Sequence, residues 1–328
     1  MNRNSWSNIR GIAVLGVILI HITAPEIIGA DINSIFNLVF NQISRFAVPI
    51  FLISSGFGLQ TKYCNLQKSE LGTFYQKRMK IIPGYLFWSM FYYLIMNRGN
   101  WNIADFIYGV LTGATYAHLY FKVVLFICYL LFPFVNKFVS TIKGLSVFLG
   151  ITLVGQLIYL SGITWGSPYI WNWVFYFMLG VFLSSNSIIF KKMLKNGWKI
   201  YIVGLALVLS STLISYFMFQ RDLVFVTTAM KPSVIVMSVG ILFLFLNKFT
   251  NDNKLLKLFD INSLNVYYVH PIFIIIMNKI LEIVGIQGGG FLVNILLLFI
   301  VAFASLVFSI VFNLFKDNMI ACLSSSKY

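Results

Sequence analysis

The sequence predicts an all-α, polytopic membrane protein with about ten transmembrane helices and both termini cytoplasmic. Three observations carry that expectation. Hydrophobic residues make up 59% of the 328-residue chain and charged residues only 10%, whereas a soluble domain carries about 25% charge. Mean hydropathy is +0.86. Apolar runs long enough to span a bilayer recur along the chain, and the basic residues between them alternate in density, as the positive-inside rule requires.

The elements follow in order. The first run covers 9–24, and its apolar segment 12–22 is expected to insert as a helix rather than to be cut off as a leader. The second covers 34–61 and contains Arg45 and Pro49. A cytoplasmic segment with Lys62, Lys68, Lys77, Arg78 and Lys80 leads to the third at 81–97, with Pro83 just inside it. Residues 101–113 are apolar but short and read as an interfacial or re-entrant piece. Helices at 118–136 and 144–161 flank Lys137 and Lys143, and those at 169–185 and 197–219 flank Lys191, Lys192, Lys195 and Lys199. Helices at 231–247 and 262–283 flank Lys248, Lys254 and Lys257. The last, 290–315, follows a glycine turn at 288–290 and precedes Lys316 and Lys327. Of the 24 basic residues, all but Arg45, Arg98, Lys122, Arg221, Lys231 and Lys279 fall in the N-terminal segment or these inner segments. An eleventh span would invert every later loop and destroy the alternation. No repeat or low-complexity linker divides the chain, so 1–328 reads as a single transmembrane domain with no separate soluble domain.

Several function classes drop out. Cys64, Cys128 and Cys322 form no CxxC or Cys/His pattern, which argues against a disulfide framework or structural zinc. The net charge of +15 is spread between apolar runs, so it speaks for topology and not for nucleic acid. The nine acidic residues, among them Asp31, Asp222, Asp260 and Asp317, are expected in loops or at helix ends. A proton-coupled transporter would need a carboxylate well inside the membrane.

Ionisable groups inside a bilayer are costly and are therefore functional candidates. Arg10 and His21 are eleven residues apart on the first helix, which brings them within about 20° of one face and separates them by roughly 16 Å. Read singly, Arg10 is a snorkelling anchor and His21 a core histidine bonded to a neighbour; their shared face favours function. Arg45 lies within the second predicted helix, where it must find an anion, a carbonyl or water. Pro49 frees a carbonyl one turn earlier, which offers a purely structural partner. Lys77, Arg78 and Lys80 precede the third helix and suit either a phosphorylated ligand or anionic lipid headgroups. His118 stands at the outer end of the fourth helix. His270 precedes Pro271, close to Tyr268, where a polar patch relieving a kink is the structural alternative.

Taken in order, these pieces resemble the acyltransferase-3 family of integral membrane acyltransferases. The resemblance rests on Arg10-Gly11-Ile12-Ala13-Val14-Leu15 ending at His21, and on Arg45-Phe46-Ala47-Val48-Pro49-Ile50-Phe51 leading to Ser55-Gly56-Phe57. It continues through Lys77-Arg78 with Pro83 and Trp88, His118-Leu119-Tyr120-Phe121, Phe177-Met178-Leu179-Gly180, and Tyr268 with His270. All three histidines of the chain fall on these motifs. Tyr120 stands where many members have tryptophan, and Lys80 where a second arginine is frequent.

The resemblance implies a ten-helix fold, acetyl-CoA or another acyl-CoA as co-substrate, and transfer of the acyl group to a hydroxyl of a cell-surface carbohydrate. No tightly bound cofactor and no metal are expected. On this reading His21 and Arg10 are catalytic, and Lys77, Arg78 and Lys80 hold the coenzyme phosphates. Arg45 binds a carbonyl or developing oxyanion, while His118, Tyr268 and His270 line the acceptor path. The rival reading is an exporter of a polysaccharide or lipid-linked sugar. It accounts for the helices and the buried polar groups but not for the order of the motifs.

Overall fold

The computed structural model describes residues 2–26, 32–163, 170–218, 227–286 and 290–325, with side chains at 215–218 and 317–325 excepted. Asp31, Arg221, Asp222, the glycines at 288 and 289, and Lys327 lie outside this set, as do the side chains of Asp317 and Cys322. Every regular element among the described residues is a helix. They are α1 (Arg3–Thr23), α2 (Ile32–Ile43), α3 (Ala47–Tyr63), α4 (Leu71–Met79), α5 (Ile82–Asn97), α6 (Ile103–Thr112), α7 (Tyr120–Val139), α8 (Ile142–Leu160), α9 (Val174–Ser185), α10 (Ser187–Met218), α11 (Pro232–Lys248), α12 (Lys254–Ile283) and α13 (Phe291–Ser325).

Helix forms on each of the ten predicted segments. Seven stretches among the described residues are long and apolar enough to cross a membrane: α1, the α2–α3 stretch, α7, α8, α10, α12 and most of α13. The protein is therefore an all-α, multi-pass membrane protein. The helices on the other three segments, α5, α9 and α11, have 16, 12 and 17 residues.

Four differences from the sequence expectation have physical causes. The segment 34–61 is not one helix but α2 and α3 joined by a 3₁₀ turn at Ser44–Phe46. Pro49 has no N–H to offer the Arg45 carbonyl, so the ladder fails where the turn is found. A separate helix, α4, lies in the basic segment before α5, and its preceding turn is fixed by the Gln67 N–H donating to Glu70 Oε2 at 3.0 Å. His118 precedes α7 and is not part of it. Finally, α12 starts at Lys254 and not at 262, because Asn253 caps it by accepting from the Leu256 N–H at 3.0 Å. Asp260 consequently lies inside a helix, not in a loop or at a helix end. The short apolar segment forms α6, of ten residues, too short to span.

The chain divides into two compact units. One comprises 1–47, 194–229 and 233–328; the other comprises 48–193 and 230–232. Within the first, α1 packs mainly against α12, and α12 in turn against α13. Polar side chains stitch α13 to α2 and to α12: Asn294 Nδ2 donates to Asn37 Oδ1 at 2.9 Å, and Ser309 and Asn313 both donate to Asn262 Oδ1. Lipid tails provide no hydrophobic drive between helices, so such bonds and close packing hold them together.

Within the second unit, α3 and α9 meet at Gly56 and Gly180. A Cβ on Gly56 would collide with the Phe177 carbonyl, and one on Gly180 with the Ile53 carbonyl. The two glycines of the Ser55-Gly56-Phe57 and Phe177-Met178-Leu179-Gly180 motifs are thus the two halves of one backbone contact.

Candidate active site

The first unit brings five of the nine candidate residues onto or beside α1 and α12. These helices run in parallel, the direction that the charge alternation assigns to both. Gly11 allows the approach, since a Cβ there would strike the Leu256 backbone. One turn along, Arg10 forms a two-pronged ion pair with Asp260: Nε donates to Oδ1 at 2.6 Å and Nη2 to Oδ2 at 2.7 Å. Ser7 Oγ donates to the same carboxylate at 2.7 Å. The Asp260 side chain is only 12% exposed. Charge-assisted, bidentate geometry of this kind is the strong form of a hydrogen bond. Asn8 adds two bonds to the carbonyls of Phe249 and Asn251, which fastens the foot of α1 to the approach to α12.

Eleven residues beyond Arg10 on α1, and ten beyond Asp260 on α12, the same two helices present His21 and His270. Their ring centroids are 5.3 Å apart with planes tilted by 43°. His270 is fully buried, and its Nδ1 lies 3.1 Å from the Val266 carbonyl, one turn back. Tyr268, also buried, stands two residues before it. Nearly equal strides on two parallel helices bring an ion pair together at one level and two imidazoles at the next.

Arg45 completes this end of the unit. It lies within electrostatic reach of His21, and its Nε donates to Asn41 Oδ1 at 3.0 Å. Asn41 is fully buried, and its amide nitrogen donates to the Ile20 carbonyl and to Thr23 Oγ1, both at 3.0 Å. One asparagine therefore ties the 3₁₀ turn carrying Arg45 to the last turn of α1 carrying His21. The Arg45 side chain answers to Asn41 as well as to the break that Pro49 creates.

The other four candidates lie in the second unit. Lys77 and Arg78 occupy the last turn of α4, where cations favour the helix dipole, and Lys80 follows directly. Lys77 and Lys80 are exposed; Arg78 is half-buried, with its guanidinium 5.6 Å from the centre of the Tyr129 ring. His118 is buried in an aromatic cluster, 5.2 Å from the Tyr92 ring and 5.4 Å from Tyr116.

Sequence reasoning grouped His118 with His270, whereas the structure brings His270 to His21. It also passed over Asp260 and Asn41. Signals for both were present: Asp260 precedes His270 by nearly the spacing that separates Arg10 from His21, and Asn41 precedes Arg45 by one helical turn.

No curated protein and no solved structure gives a significant match to this sequence. A family model, described as an acyltransferase domain, matches residues 3–314 and so takes in most of both units and all nine candidate site residues. The chain belongs to the acyltransferase-3 family and is a membrane acyltransferase.

Proposed function

We propose that the protein acts in the cell membrane, moving an acyl group, acetyl in the simplest case, from acyl-CoA to a hydroxyl of a cell-surface or lipid-linked carbohydrate. The observation that carries this reading is the His21–His270 pair with Arg45 close by, in a chain matched to the acyltransferase family over nearly its whole length. A neutral imidazole is the side chain best suited to take and return a proton near pH 7. A fixed guanidinium is well suited to a developing oxyanion.

In the proposed reaction His21 takes the proton from the acceptor hydroxyl as its oxygen bonds to the thioester carbonyl carbon. The tetrahedral oxyanion faces Arg45. Collapse breaks the carbon–sulfur bond, and the imidazolium returns the proton to the departing thiolate, which leaves an ester and free coenzyme A. His270 and Tyr268 shape the surroundings of His21. Lys77, Arg78 and Lys80 hold the donor's phosphates, a task suited to clustered cations, and His118 contributes to the acceptor path. Arg10 works from its bond to Asp260 as a positioning residue, because the helix rise keeps it roughly 16 Å from His21.

The test is release of free thiol from acetyl-CoA by the purified protein in lipid vesicles, supplied with surface glycan. A transferase releases coenzyme A in step with ester formation on the glycan. Movement of glycan across the vesicle wall without thioester cleavage would replace this reading with that of an exporter.

A further inference from the structure

Three cations, Lys77, Arg78 and Lys80, precede α5, and their surroundings differ. Lys77 and Lys80 are exposed, whereas Arg78 is half-buried. The difference follows from how α4 lies on α7. Phe74, the one buried residue of α4, stacks on Phe132 with ring centres 5.8 Å apart, and the Tyr75 hydroxyl donates to the Leu130 carbonyl at 3.2 Å. Arg78 stands one turn beyond Phe74 on the same face of α4, and Tyr129 stands three residues before Phe132 on the same face of α7. The two helices therefore run antiparallel here, and their register sets Arg78 against Tyr129, with the guanidinium carbon 5.6 Å from the ring centre.

Tyr129 is itself fixed. Its ring is buried and lies 6.2 Å from the Phe177 ring of α9, and its hydroxyl is within hydrogen-bonding reach of the side chains of Arg78 and of Ser55 on α3. A guanidinium can only donate, so the phenolic oxygen accepts from Arg78 and its own proton is directed at Ser55 Oγ. The protein supplies no anion at this point. Arg78 takes part in none of the ion pairs among the described residues, and its buried Nε–H meets no acceptor there. Arg10, by contrast, has its charge matched by Asp260. A guanidinium held in one orientation but not neutralised suits a single phosphate group in a set geometry, because little side-chain freedom is lost when the ligand arrives. The two exposed lysines add attraction without orientation.

We propose that Tyr129 is a positioning residue for donor binding: its hydroxyl, backed by Ser55, aims the Arg78 guanidinium at a phosphate of acyl-CoA and makes Arg78 the discriminating member of the cation cluster. The acyl-CoA in this assignment rests on the transferase reading above, which is deepened by ranking the three cations.

The experiment is equilibrium binding of free coenzyme A, which needs no turnover, to the full chain in lipid vesicles, alongside steady-state cleavage of acetyl-CoA. Tyr129→Phe keeps the ring against Phe177 and removes only the hydroxyl. It raises the Kd for coenzyme A about tenfold, the scale of one hydrogen bond to a charged group, and raises KM for acetyl-CoA with kcat unchanged. Ser55→Ala shifts both in the same direction by less. Arg78→Met raises the Kd at least as far, and adding Tyr129→Phe to it changes nothing more, because the hydroxyl acts through the guanidinium. The original Kd in Tyr129→Phe, or a further tenfold loss when it is added to Arg78→Met, overturns the proposal; the second result is what a merely structural role would give. Coenzyme A binding that depends on Tyr129 without any thioester cleavage refutes the transferase and leaves the positioning role standing. Cleavage with Kd and KM indifferent to Tyr129→Phe refutes the positioning role alone. A protein that neither binds coenzyme A nor cleaves acetyl-CoA overturns both.

Discussion

Two helix pairs, α1 with α12 and α3 with α9, solve the same problem by different means. Both must hold together where lipid leaves little hydrophobic drive. The α3–α9 pair uses shape at its crossing, where Gly56 and Gly180 let each backbone touch the other, and adds only neutral side-chain bonds at one end, Gln60 to Ser185 at 3.0 Å and Thr61 with Ser184 at 2.9 Å. The α1–α12 pair uses close approach at Gly11 together with an ion pair, a serine and a set of backbone-directed amides. The difference shows where chemistry can reside. A glycine contact yields rigidity and nothing reactive, whereas the polar seam fixes the register that sets His21 against His270.

The largest expected effect that would sharpen this contrast is on Asp260. Asp260→Asn leaves Arg10 facing a neutral amide in a largely buried setting, and removing one partner of such a pair costs about 3 kcal/mol. A lowered unfolding midpoint in detergent measures the loss. Arg10→Met on top of Asp260→Asn removes the stranded charge and is expected to recover part of the stability. If the double variant is as unstable as the single one, the seam is held by something other than this pair.

A smaller effect is expected at the apolar contact. Gly180→Ala forces α9 away from the Ile53 carbonyl at a cost of about 2 kcal/mol, within the range seen for overpacked cores. It should act on stability alone, and the residual rate of thioester cleavage per folded molecule should be that of the unaltered protein. A fall in rate per folded molecule well beyond the loss of fold would break the comparison, because the α3–α9 contact would then belong to the reaction too.

The smallest effect on stability is expected at Asn41. Asn41→Ala removes bonds to Ile20, Thr23 and Arg45 for about 1 kcal/mol. Its effect on the reaction should be larger than its effect on the fold, because Arg45 loses its tether to the turn that carries His21. Asn41→Gln, which keeps both the acceptor for Arg45 and an amide donor for Ile20 and Thr23, should restore part of the rate. Equal rates in both variants would reduce Asn41 to a structural bond.

The sequence revealed the outline of this arrangement better than its joints. Apolar run length and loop charge located helices on all ten segments, because the bilayer imposes length and sign on any spanning chain. The shared face of Arg10 and His21 was legible because a single helix has a fixed period. Asp260 was missed because it precedes the apolar run of its helix, and its inclusion depends on the Asn253 cap. The break at Ser44–Phe46 follows from Pro49, whose freed carbonyl could be read from the sequence although the end of α2 could not. That His270 meets His21 depends on which helices pair, and no local pattern encodes that choice.

The account turns on His21. His21→Ala, purified and compared with the unaltered protein at equal folded fraction, is the most direct measurement, with coenzyme A release from acetyl-CoA as the readout. Loss of the group that moves the proton is expected to lower the rate about a thousandfold, with membrane insertion and unfolding midpoint retained. A folded His21→Ala protein that releases coenzyme A at the original rate would contradict the assignment of this imidazole as the centre of the reaction.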